Sequence, residues 1–371
     1  MVSDSSSNSH NKIRLIVLFG GQSAEHDVSC TTATHVLAAV DPNRYDVEAI
    51  GITRQGKFVQ AAEAMAALAQ GIQHLPDALK PEGPSTELTT LVAAPTEPGT
   101  KTVVLPLLHG PLGEDGTVQG LLELADVPYV GAGVLGSAVV MDKAMAKTVT
   151  DAHGIPQTKW TSLTEAEIVA DPEQVAKSMV DQLGLPVFIK PANMGSSIGV
   201  SKASTVDEIV DGLTKALRYD ELLVVEEAVD AREIELAVLG NRDIEVSVPG
   251  EIVPGADFYD YEDKYLDGNA DLVIPAKVSP EVTAELQELA ARAYRALRVE
   301  GLARADFLYE ENGRGPLLNE LNTIPGFTPI SMYPKLWEAS GLSYTALIDR
   351  LVGLAIERHE RRASKRTTDR T

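Results

Sequence analysis

The chain has 371 residues, a formal net charge of −22 and one cysteine. Its 44% hydrophobic and 23% charged residues are typical of a globular protein, and its length allows two or three domains. The acidic excess argues against a nucleic-acid or membrane partner, and the lone Cys30 excludes an intrachain disulfide and a cysteine-rich metal site. We expect a cytoplasmic protein with Cys30 in its core, because neither a signal sequence nor a long apolar segment is present.

The first third of the chain repeats an apolar strand followed by glycine. The Ala-rich segment 61–73 predicts a helix, and the Pro-, Gly- and Thr-rich segment 80–100 predicts a surface excursion. We therefore predict an open α/β domain over residues 13–136, with a ligand edge at the strand ends. Its buried parallel strands are expected in “IRLIVLFGG” (13–21), “YDVEAIGI” (45–52), “TVVLPLLHG” (102–110) and “VPYVGAG” (127–133).

Two glycine-containing segments resemble nucleotide-binding motifs. “GITRQGK” (51–57) approaches a P-loop, but Phe58 stands where a Ser or Thr would ligate Mg²⁺, and Gly56 favours a hairpin. “GAGVLG” (131–136) satisfies G-x-G-x-x-G, yet the acid expected at the end of the second strand is missing, and Asp151 lies at a helix end instead. Local sequence leaves a dinucleotide loop and a tight turn with a domain linker both open.

The rest of the chain predicts two further units, over residues 137–229 and 230–357, with tails at 1–12 and 358–371. The first is a compact α+β unit that begins with one helix in “SAVVMDKAMAKTVTDAHG” and contains strands in “TKWTSL”, “PVFIK”, “IGVSKA” and “LLVVEEAV”. In the second, strands dominate from 232 until “SPEVTAELQELAARAYRALRVEG”. That segment is a helix with Ser279 as N-cap and Pro280 in its first turn.

Two strands near the C-terminus predict a hairpin that gathers polar side chains. “LARADFLY” and “GPLLNELN” flank a turn, and a loop “ENGRG” with Gly313 at positive φ places Asp306 opposite Glu320 and Arg304 opposite Asn322. Two carboxylates and an amide on one face suit Mg²⁺ that also binds nucleotide phosphates. A salt bridge of Arg304 with either acid on a solvated face explains the same residues, and from the residues alone both interpretations stay open.

Other segments place polar residues at the ends of predicted strands. In “PVFIKPANMGSSIGVSKA”, Lys190 ends a strand before a Gly-Ser-Ser loop (195–197), which can fold over phosphates or form an ordinary hairpin. “VVEEAV” ends a strand with acidic residues. “GGQSAEHDVS” and “HGPLGEDG” bring Glu25 and His109 to the ligand edge of the first domain, where a binding or a structural role fits.

Taken in order, these segments resemble the D-alanine-D-alanine ligases of the ATP-grasp superfamily over residues 13–355. The resemblance implies a three-domain ATP-grasp fold that combines α/β and α+β units, with an N-terminal open parallel-sheet domain. It also favours the linker interpretation of “GAGVLG”. The matching motifs are “GGQSAEHDVS”, “LHGPLGEDGTVQG”, “VGAGVLGSAVVMDK”, “KPANMGSSIGV”, “FYDYEDKY”, “RADF” and “NELNTIPGFT”.

The family pattern also implies how ATP and metal ions are bound, between the central and C-terminal domains. Two Mg²⁺ or Mn²⁺ ions are expected at Asp306, Glu320 and Asn322. Lys143 and Lys190 are expected to contact the phosphates, and Ser197 belongs to the loop that is expected to cover them. The residues expected at adenine and ribose are Phe188, Glu226, the Val229 backbone, Glu233 and Phe307.

The same resemblance assigns the amino-acid sites. Arg304 and the Gly326 backbone N–H are expected to stabilise a tetrahedral oxyanion. Lys264 and Tyr265 are expected to reach in from a lid, “FYDYEDKYLDG”. The residues implied for the first D-alanine are Glu25, Ser196, Tyr265 and His109, and those for the second are Ser331 and the Met332 backbone.

The implied reaction is the ATP-dependent ligation of two D-alanines through a D-alanyl phosphate, for peptidoglycan precursors, by a homodimer. A D-alanine-D-lactate or D-alanine-D-serine ligase shares the same site, although Tyr265 favours the dipeptide product. An ATP-grasp enzyme with other substrates and a non-catalytic binding protein are more distant alternatives. Glu227, Ala228 and the loop “ANMGSS” depart from the usual family pattern.

Overall fold

The structure, a computed structural model, describes residues 12–87, 100–253 and 271–365. The lid segment with Lys264 and Tyr265, and the ends of both predicted tails, lie outside the described residues. Within them the strands form three sheets, with helices packed on each. None of the helices over these ranges has the length and hydrophobicity that a membrane crossing requires.

The N-terminal sheet has three parallel strands and one antiparallel edge strand, in the order β3-β2-β1-β4. Gly56, at φ 80°, turns the chain between β2 and β3, so the hairpin interpretation of “GITRQGK” is confirmed. The strands are β1 (Ile13–Gly20), β2 (Tyr45–Ile52), β3 (Phe58–Gln60) and β4 (Thr102–Pro106), and the helices are α1 (His26–Ala39), α2 (Ala62–Gln70) and α3 (Thr117–Leu124), with a 3₁₀ turn at Ile72–His74.

Two predictions for this region are wrong in detail. The segment 127–133 forms only an isolated parallel bridge between Tyr129 and Val104, because Gly131, at φ 99°, turns the chain away from the sheet. The single helix predicted from 137 is two helices, α4 (Val134–Met141) and α5 (Lys143–Ala152). Asp142 separates them: its backbone is extended and its side chain accepts a hydrogen bond from the Met145 N–H as N-cap of α5.

The glycines of “GAGVLG” serve the turn and the helix contact that follows it. A Cβ at Gly136 would lie 2.9 Å from the Arg298 carbonyl oxygen, so α4 approaches the backbone of the C-terminal unit closely. Together with the positive φ of Gly131, this contact supports the linker interpretation of the motif.

The central sheet is fully antiparallel, in the order β5-β8-β6-β7. Its four short strands match the segments predicted for them. They are β5 (Trp160–Thr164), β6 (Val187–Pro191), β7 (Ser201–Ala203) and β8 (Leu222–Glu227), and the helices of this unit are α6 (Glu165–Ala170), α7 (Pro172–Leu183) and α8 (Val206–Ala216).

The C-terminal sheet has six described strands, in the order β12-β11-β9-β13-β14 with β10 on β9. Ser279 caps its long helix by accepting a hydrogen bond from the Val282 N–H, as predicted. The strands are β9 (Arg232–Gly240), β10 (Ile244–Val246), β11 (Gly250–Val253), β12 (Asp271–Val273), β13 (Gly301–Glu310) and β14 (Gly315–Asn322), and the helices are α9 (Pro280–Ala296), α10 (Met332–Ala339) and α11 (Tyr344–Ala363).

The prediction of a solvated tail from residue 358 is wrong for the residues of α11. Arg358 is only 3% exposed, because its guanidinium donates to the carbonyl oxygens of Tyr129 and Gly131 and lies over the Tyr129 ring. A hydrophobic cluster also joins Phe19 of β1 to Leu351 of α11, and Cys30 lies in it as expected. The last helix therefore fixes the N-terminal sheet against the C-terminal unit.

Candidate active site

The hairpin of β13 and β14 pairs the four predicted residues as expected, Arg304 with Asn322 and Asp306 with Glu320. The predicted loop is wrong, because Glu310 pairs with Gly315, and it is Gly315, at φ 80°, that has the positive φ. The register shifts between Asp306 and Phe307, where Asn319 is the extra residue on β14. The loop shifts the pairing by one residue from the predicted register, and the bulge shifts it back. The predicted pairs at Asp306 and Arg304 are therefore present.

Arg304 and Asp306 form a bidentate ion pair, with Nε–Oδ1 at 2.7 Å and Nη2–Oδ2 at 2.6 Å. Glu235 of β9 lies 3.1 Å from the same guanidinium. The side chains of Arg304 and Asp306 are 18% and 12% exposed, so this salt bridge lies on a mostly buried face and not on a solvated one. Burial lowers the pKa of Arg304, but Asp306 and Glu235 outweigh it and raise the pKa well above its ordinary value.

The oxygen donors of the hairpin suit a hard divalent cation that completes its shell with phosphate and water. Glu320 is 37% exposed and its carboxylate lies 3.9 Å from Lys143 Nζ, while Asn322 accepts a hydrogen bond from the Ile324 N–H at 3.0 Å. No group of three or more His, Cys, Asp and Glu side chains forms a metal cage within the described ranges. Asp306, Glu320 and Asn322 fit the incomplete ligand set that Mg²⁺ takes beside a nucleotide.

A cavity of about 440 Å³ lies between the central and C-terminal sheets. The predicted residue Phe307 does not line it: its side chain is 1% exposed and packs in the C-terminal core, because neighbouring strand residues face opposite sides and Leu308 faces the cavity. The prediction that Phe307 packs against the adenine base is therefore wrong. The predicted residues that do line the cavity are Lys143, Phe188, Lys190, Ser196, Ser197, Glu226, Val229, Glu233 and Glu320.

The loop after β6 reaches from this cavity to the N-terminal unit. Ser196 and Ser197 have positive φ values of 49° and 57°, and Lys143 Nζ donates to the Met194 carbonyl oxygen at 2.5 Å. The Ser196 hydroxyl donates a hydrogen bond to Glu25, which is 6% exposed at the start of α1. The structure thus joins two residues that lie 171 positions apart in the chain.

His109 and Glu114 lie beside Glu25 at the carboxyl end of β4. His109 Nδ1 is 3.0 Å from the Ile324 carbonyl oxygen and 3.7 Å from a Glu114 oxygen, and its buried Nε2 has no hydrogen-bond partner among the described residues. Burial lowers the pKa of His109, but Glu114 and Glu25 outweigh it and raise the pKa. Because Nδ1–H donates to the Ile324 carbonyl oxygen, Nε2 donates only when the imidazole is protonated, a form that the raised pKa favours. In that form, Nε2–H can bind an anionic ligand.

Residues expected around the second amino acid meet where α10 begins. Ser331 is the N-cap residue of α10, and Met332 is its first residue. The Ser331 hydroxyl accepts a hydrogen bond from the Thr328 N–H at 3.1 Å, and a Cβ at Gly326 would lie 3.1 Å from it. The free N–H groups of a helix start are suited to bind a carboxylate.

Three buried charged residues with site contacts were missed by the sequence predictions: Glu114, Lys147 and Glu235. Glu226, which was expected at the adenine, has one oxygen 3.0 Å from Lys190 Nζ and the other 3.2 Å from Lys147 Nζ. The only signals in the sequence were the acid within “HGPLGEDG” and the spacing of Lys147 one helical turn after Lys143. Neither reveals burial, which depends on other elements.

Comparison with known proteins gives matches over both the N-terminal and the C-terminal parts of the chain. The family models described as the N-terminus and C-terminus of D-ala D-ala ligase match residues 14–132 and 149–353. A D-alanine--D-alanine ligase of Listeria innocua is 46% identical, with 94% of this chain and 96% of that protein covered. One of Bacillus cytotoxicus is 44% identical, with 94% and 97% covered.

Solved structures give the same result. The D-alanine-D-alanine ligase of Coxiella burnetii matches with a TM-score of 0.79 and 36% identity, over 95% of this chain and 98% of that one. The VanG D-Ala:D-Ser ligase of Enterococcus faecalis matches with a TM-score of 0.77 and 33% identity, over 93% and 100%. These folds are ATP-grasp folds with a parallel N-terminal sheet, as predicted. The chain belongs to the D-alanine-D-alanine ligase family.

Proposed function

We propose that the protein ligates two D-alanine molecules to D-alanyl-D-alanine with ATP and releases ADP and phosphate. The observation that carries this proposal is the hydrogen bond from Ser196 to Glu25. Ser196 belongs to the loop beside the cavity with Lys143 and Lys190, and Glu25 belongs to the ligand edge of the N-terminal sheet. The contact brings an anion-binding loop and an ammonium-binding acid together, as phosphorylation of an amino-acid carboxylate requires.

The first half-reaction forms an acyl phosphate, because a free carboxylate is a poor electrophile. Glu25 would hold the ammonium of the first D-alanine, and His109 would donate from Nε2 to its carboxylate. Lys143 and Lys190 would balance the charge of the ATP phosphates. Asp306, Glu320 and Asn322 would hold two Mg²⁺ or Mn²⁺ ions, which supply further positive charge at the transferred phosphoryl group.

In the second half-reaction the amine of the second D-alanine attacks the acyl carbon. Ser331 and the Met332 N–H would bind its carboxylate at the start of α10. Arg304 and the Gly326 N–H would stabilise the tetrahedral oxyanion, and preorganised donors of this kind contribute about 3 to 4 kcal/mol each. Lys264 and Tyr265 would complete the site from the lid and exclude water, which would otherwise hydrolyse the acyl phosphate.

The choice of second substrate separates this proposal from its closest alternative. Relatives at 44% and 46% identity are D-alanine--D-alanine ligases, whereas the D-Ala:D-Ser ligase is 33% identical. We expect purified protein to form D-alanyl-D-alanine in preference to the D-lactate or D-serine products at neutral and at acidic pH. A preference for either of those products would show that the protein is a D-alanine-D-lactate or a D-alanine-D-serine ligase and not a D-alanine-D-alanine ligase.

Nucleotide turnover distinguishes a ligase from an ATP-grasp enzyme with other substrates or a binding protein. We expect ADP release that depends on D-alanine and on Mg²⁺ or Mn²⁺. Ligation without ADP formation, or ADP formation that does not depend on D-alanine, would contradict the proposal.

We also propose that the protein is a homodimer that acts in the cytoplasm. Sedimentation of the full chain would show whether it is dimeric.

A further inference from the structure

Lys147 is a buried cation that the proposed mechanism does not use. It lies on α5 one turn after Lys143, and it is 3% exposed, whereas Lys143 faces the cavity. Its ε-ammonium is 3.2 Å from Glu226 Oε2 and 3.4 Å from Thr158 Oγ1. An ammonium group in such surroundings costs several kcal/mol unless it is paired, and an apolar residue of similar length would fill the space without that cost.

The two oxygens of Glu226 are divided between two lysines. Oε2 faces Lys147 and accepts a hydrogen bond from the Thr158 hydroxyl at 2.7 Å, while Oε1 lies 3.0 Å from Lys190 Nζ. Burial raises the pKa of Glu226, but Lys147 and Lys190 outweigh it and hold the pKa well below its ordinary value. The carboxylate is therefore ionised and held from one side by Lys147 and Thr158.

The charge balance of this cluster depends on Lys147. Glu226 with Lys190 alone is a neutral pair, which has little attraction for a polyanion. Burial lowers the pKa of Lys147, and the Glu226 carboxylate opposes this change. With Lys147 protonated, Glu226 and the two lysines together carry one excess positive charge, and Lys190, on the cavity side, is the lysine that can share it with a ligand. Lys190 Nζ also lies 3.4 Å from Asn319 Oδ1 in the bulge of β14, so its position is fixed from two sides.

We propose that Lys147 is a positioning residue for the nucleotide phosphates: with Thr158 it holds Glu226, and Glu226 in turn holds Lys190 toward the cavity with a net positive charge. This inference rests on the proposed function, in which Lys190 contacts the ATP phosphates. Lys147 itself touches no substrate, because Glu226 lies between it and Lys190. A purely structural ion pair would stabilise the fold without discriminating between ligands with and without phosphate.

The test compares the binding of ADP and of adenosine by calorimetry, together with the KM values for ATP and D-alanine. Lys147→Met is expected to weaken ADP binding and to raise the KM for ATP about tenfold, in the range of coupling between contacting residues. The KM for D-alanine is expected to stay within about twofold, and adenosine binding is expected to weaken less than ADP binding, since Glu226 also lines the cavity. The matched control is Lys177→Met, which removes an exposed lysine paired with Glu173 on α7 of the same unit and is expected to change none of these values.

A double variant shows whether Lys147 acts through Lys190. In the Lys190→Met background, Lys147→Met is expected to cause little further loss of ADP affinity. Full additivity of the two losses would overturn the inference, as would equal losses of ADP and adenosine binding. If Lys190→Met itself leaves ADP binding unchanged, the phosphate assignment of Lys190 in the proposed function is wrong instead.

A milder variant covers the case in which Lys147→Met does not fold. Thr158→Val removes the 2.7 Å hydrogen bond to the same Glu226 oxygen and keeps the shape of the side chain. It is expected to weaken ADP binding in the same direction but less, with a smaller effect on adenosine binding than on ADP binding. Unchanged ADP binding in a folded Thr158→Val protein would contradict the proposed role of the cluster.

Discussion

Arg304 and Asp306 lie two residues apart on β13, and their side chains form a bidentate ion pair at 2.7 Å and 2.6 Å. One partner is the proposed oxyanion donor and the other a proposed metal ligand, so under this proposal two steps of the reaction depend on one contact. Glu235 shares the guanidinium at 3.1 Å. Replacing either residue of the pair therefore affects the fold and the chemistry together.

Asp306→Asn and Glu320→Gln are expected to reduce activity to a similar degree, but only Asp306→Asn is expected to lower stability markedly. Each removes a carboxylate from the proposed metal site, and we expect D-alanine-dependent ADP formation to fall about 100-fold or more. Only Asp306→Asn breaks a buried pair, which costs up to about 3 to 5 kcal/mol, and less where Glu235 still holds Arg304. Glu320 is 37% exposed, so Glu320→Gln is expected to unfold at nearly the wild-type urea concentration. Full turnover of Glu320→Gln would show that the metal assignment is wrong.

Ser196→Ala is expected to raise the KM for the first D-alanine and to leave the KM for ATP nearly unchanged. The hydroxyl donates to Glu25, and hydrogen bonds to charged groups contribute about 1.5 to 3 kcal/mol, which corresponds to about a tenfold change or more. Alanine keeps a Cβ at the positive φ of Ser196, so the backbone strain is matched. In steady-state kinetics, Glu25→Gln should mask most of the effect of Ser196→Ala, and independent effects would argue against a shared role.

The pH dependence of D-alanine use is expected to follow His109. Its pKa is raised above 6.5, because Glu114 and Glu25 outweigh burial. The charged form, and the stability it contributes, is thus fully present below about pH 6.5 and is lost as the pH rises through the raised pKa. Glu114→Gln removes the carboxylate that most stabilises protonated His109, and so lowers the pKa of His109. The basic limb of kcat/KM for D-alanine should therefore move to lower pH.

A control variant for this pH profile is Glu123→Gln. Glu123 lies on α3 but pairs with Arg362 and not with His109. Its pH profile is expected to match that of the wild type. If Glu114→Gln does not shift the basic limb of kcat/KM for D-alanine, His109 is not the group whose titration produces that limb.

Two glycine-to-alanine variants are expected to change stability in opposite directions. A Cβ at Gly136 of α4 would meet the Arg298 carbonyl oxygen at 2.9 Å, and such overpacking costs about 1 to 3 kcal/mol. Gly120 lies in α3, a helix of the same length, and has nothing within 4 Å of an added Cβ. Gly120→Ala should stabilise by about 0.5 to 1 kcal/mol, because alanine has the higher helix propensity. Denaturant unfolding measures both, and a neutral Gly136→Ala would mean that α4 can shift at no cost.

Local patterns predicted most of the elements because their causes are local. The apolar run of β1 and the Ser279 cap of α9 need no distant partner to be recognised. Where the predictions were wrong, the cause lies elsewhere in the fold. Residues from 358 onward were predicted as a tail, yet Arg358 is buried and donates hydrogen bonds to carbonyl oxygens of the N-terminal unit.

The sequence by itself indicated the family, most of the strands and helices, and the types of residue at the site, since periodicity, caps and motifs are properties of neighbouring residues. The pairing of Asp306 with Glu320 was predicted, but only the tertiary structure decided how it arises and which residues of separate elements meet. The bulge at Asn319 sets Asp306 opposite Glu320, the loop after β6 brings Ser196 to Glu25, and Lys147 is buried against Glu226. Burial and long-range pairing depend on side chains that other elements supply, and so no local pattern contains them.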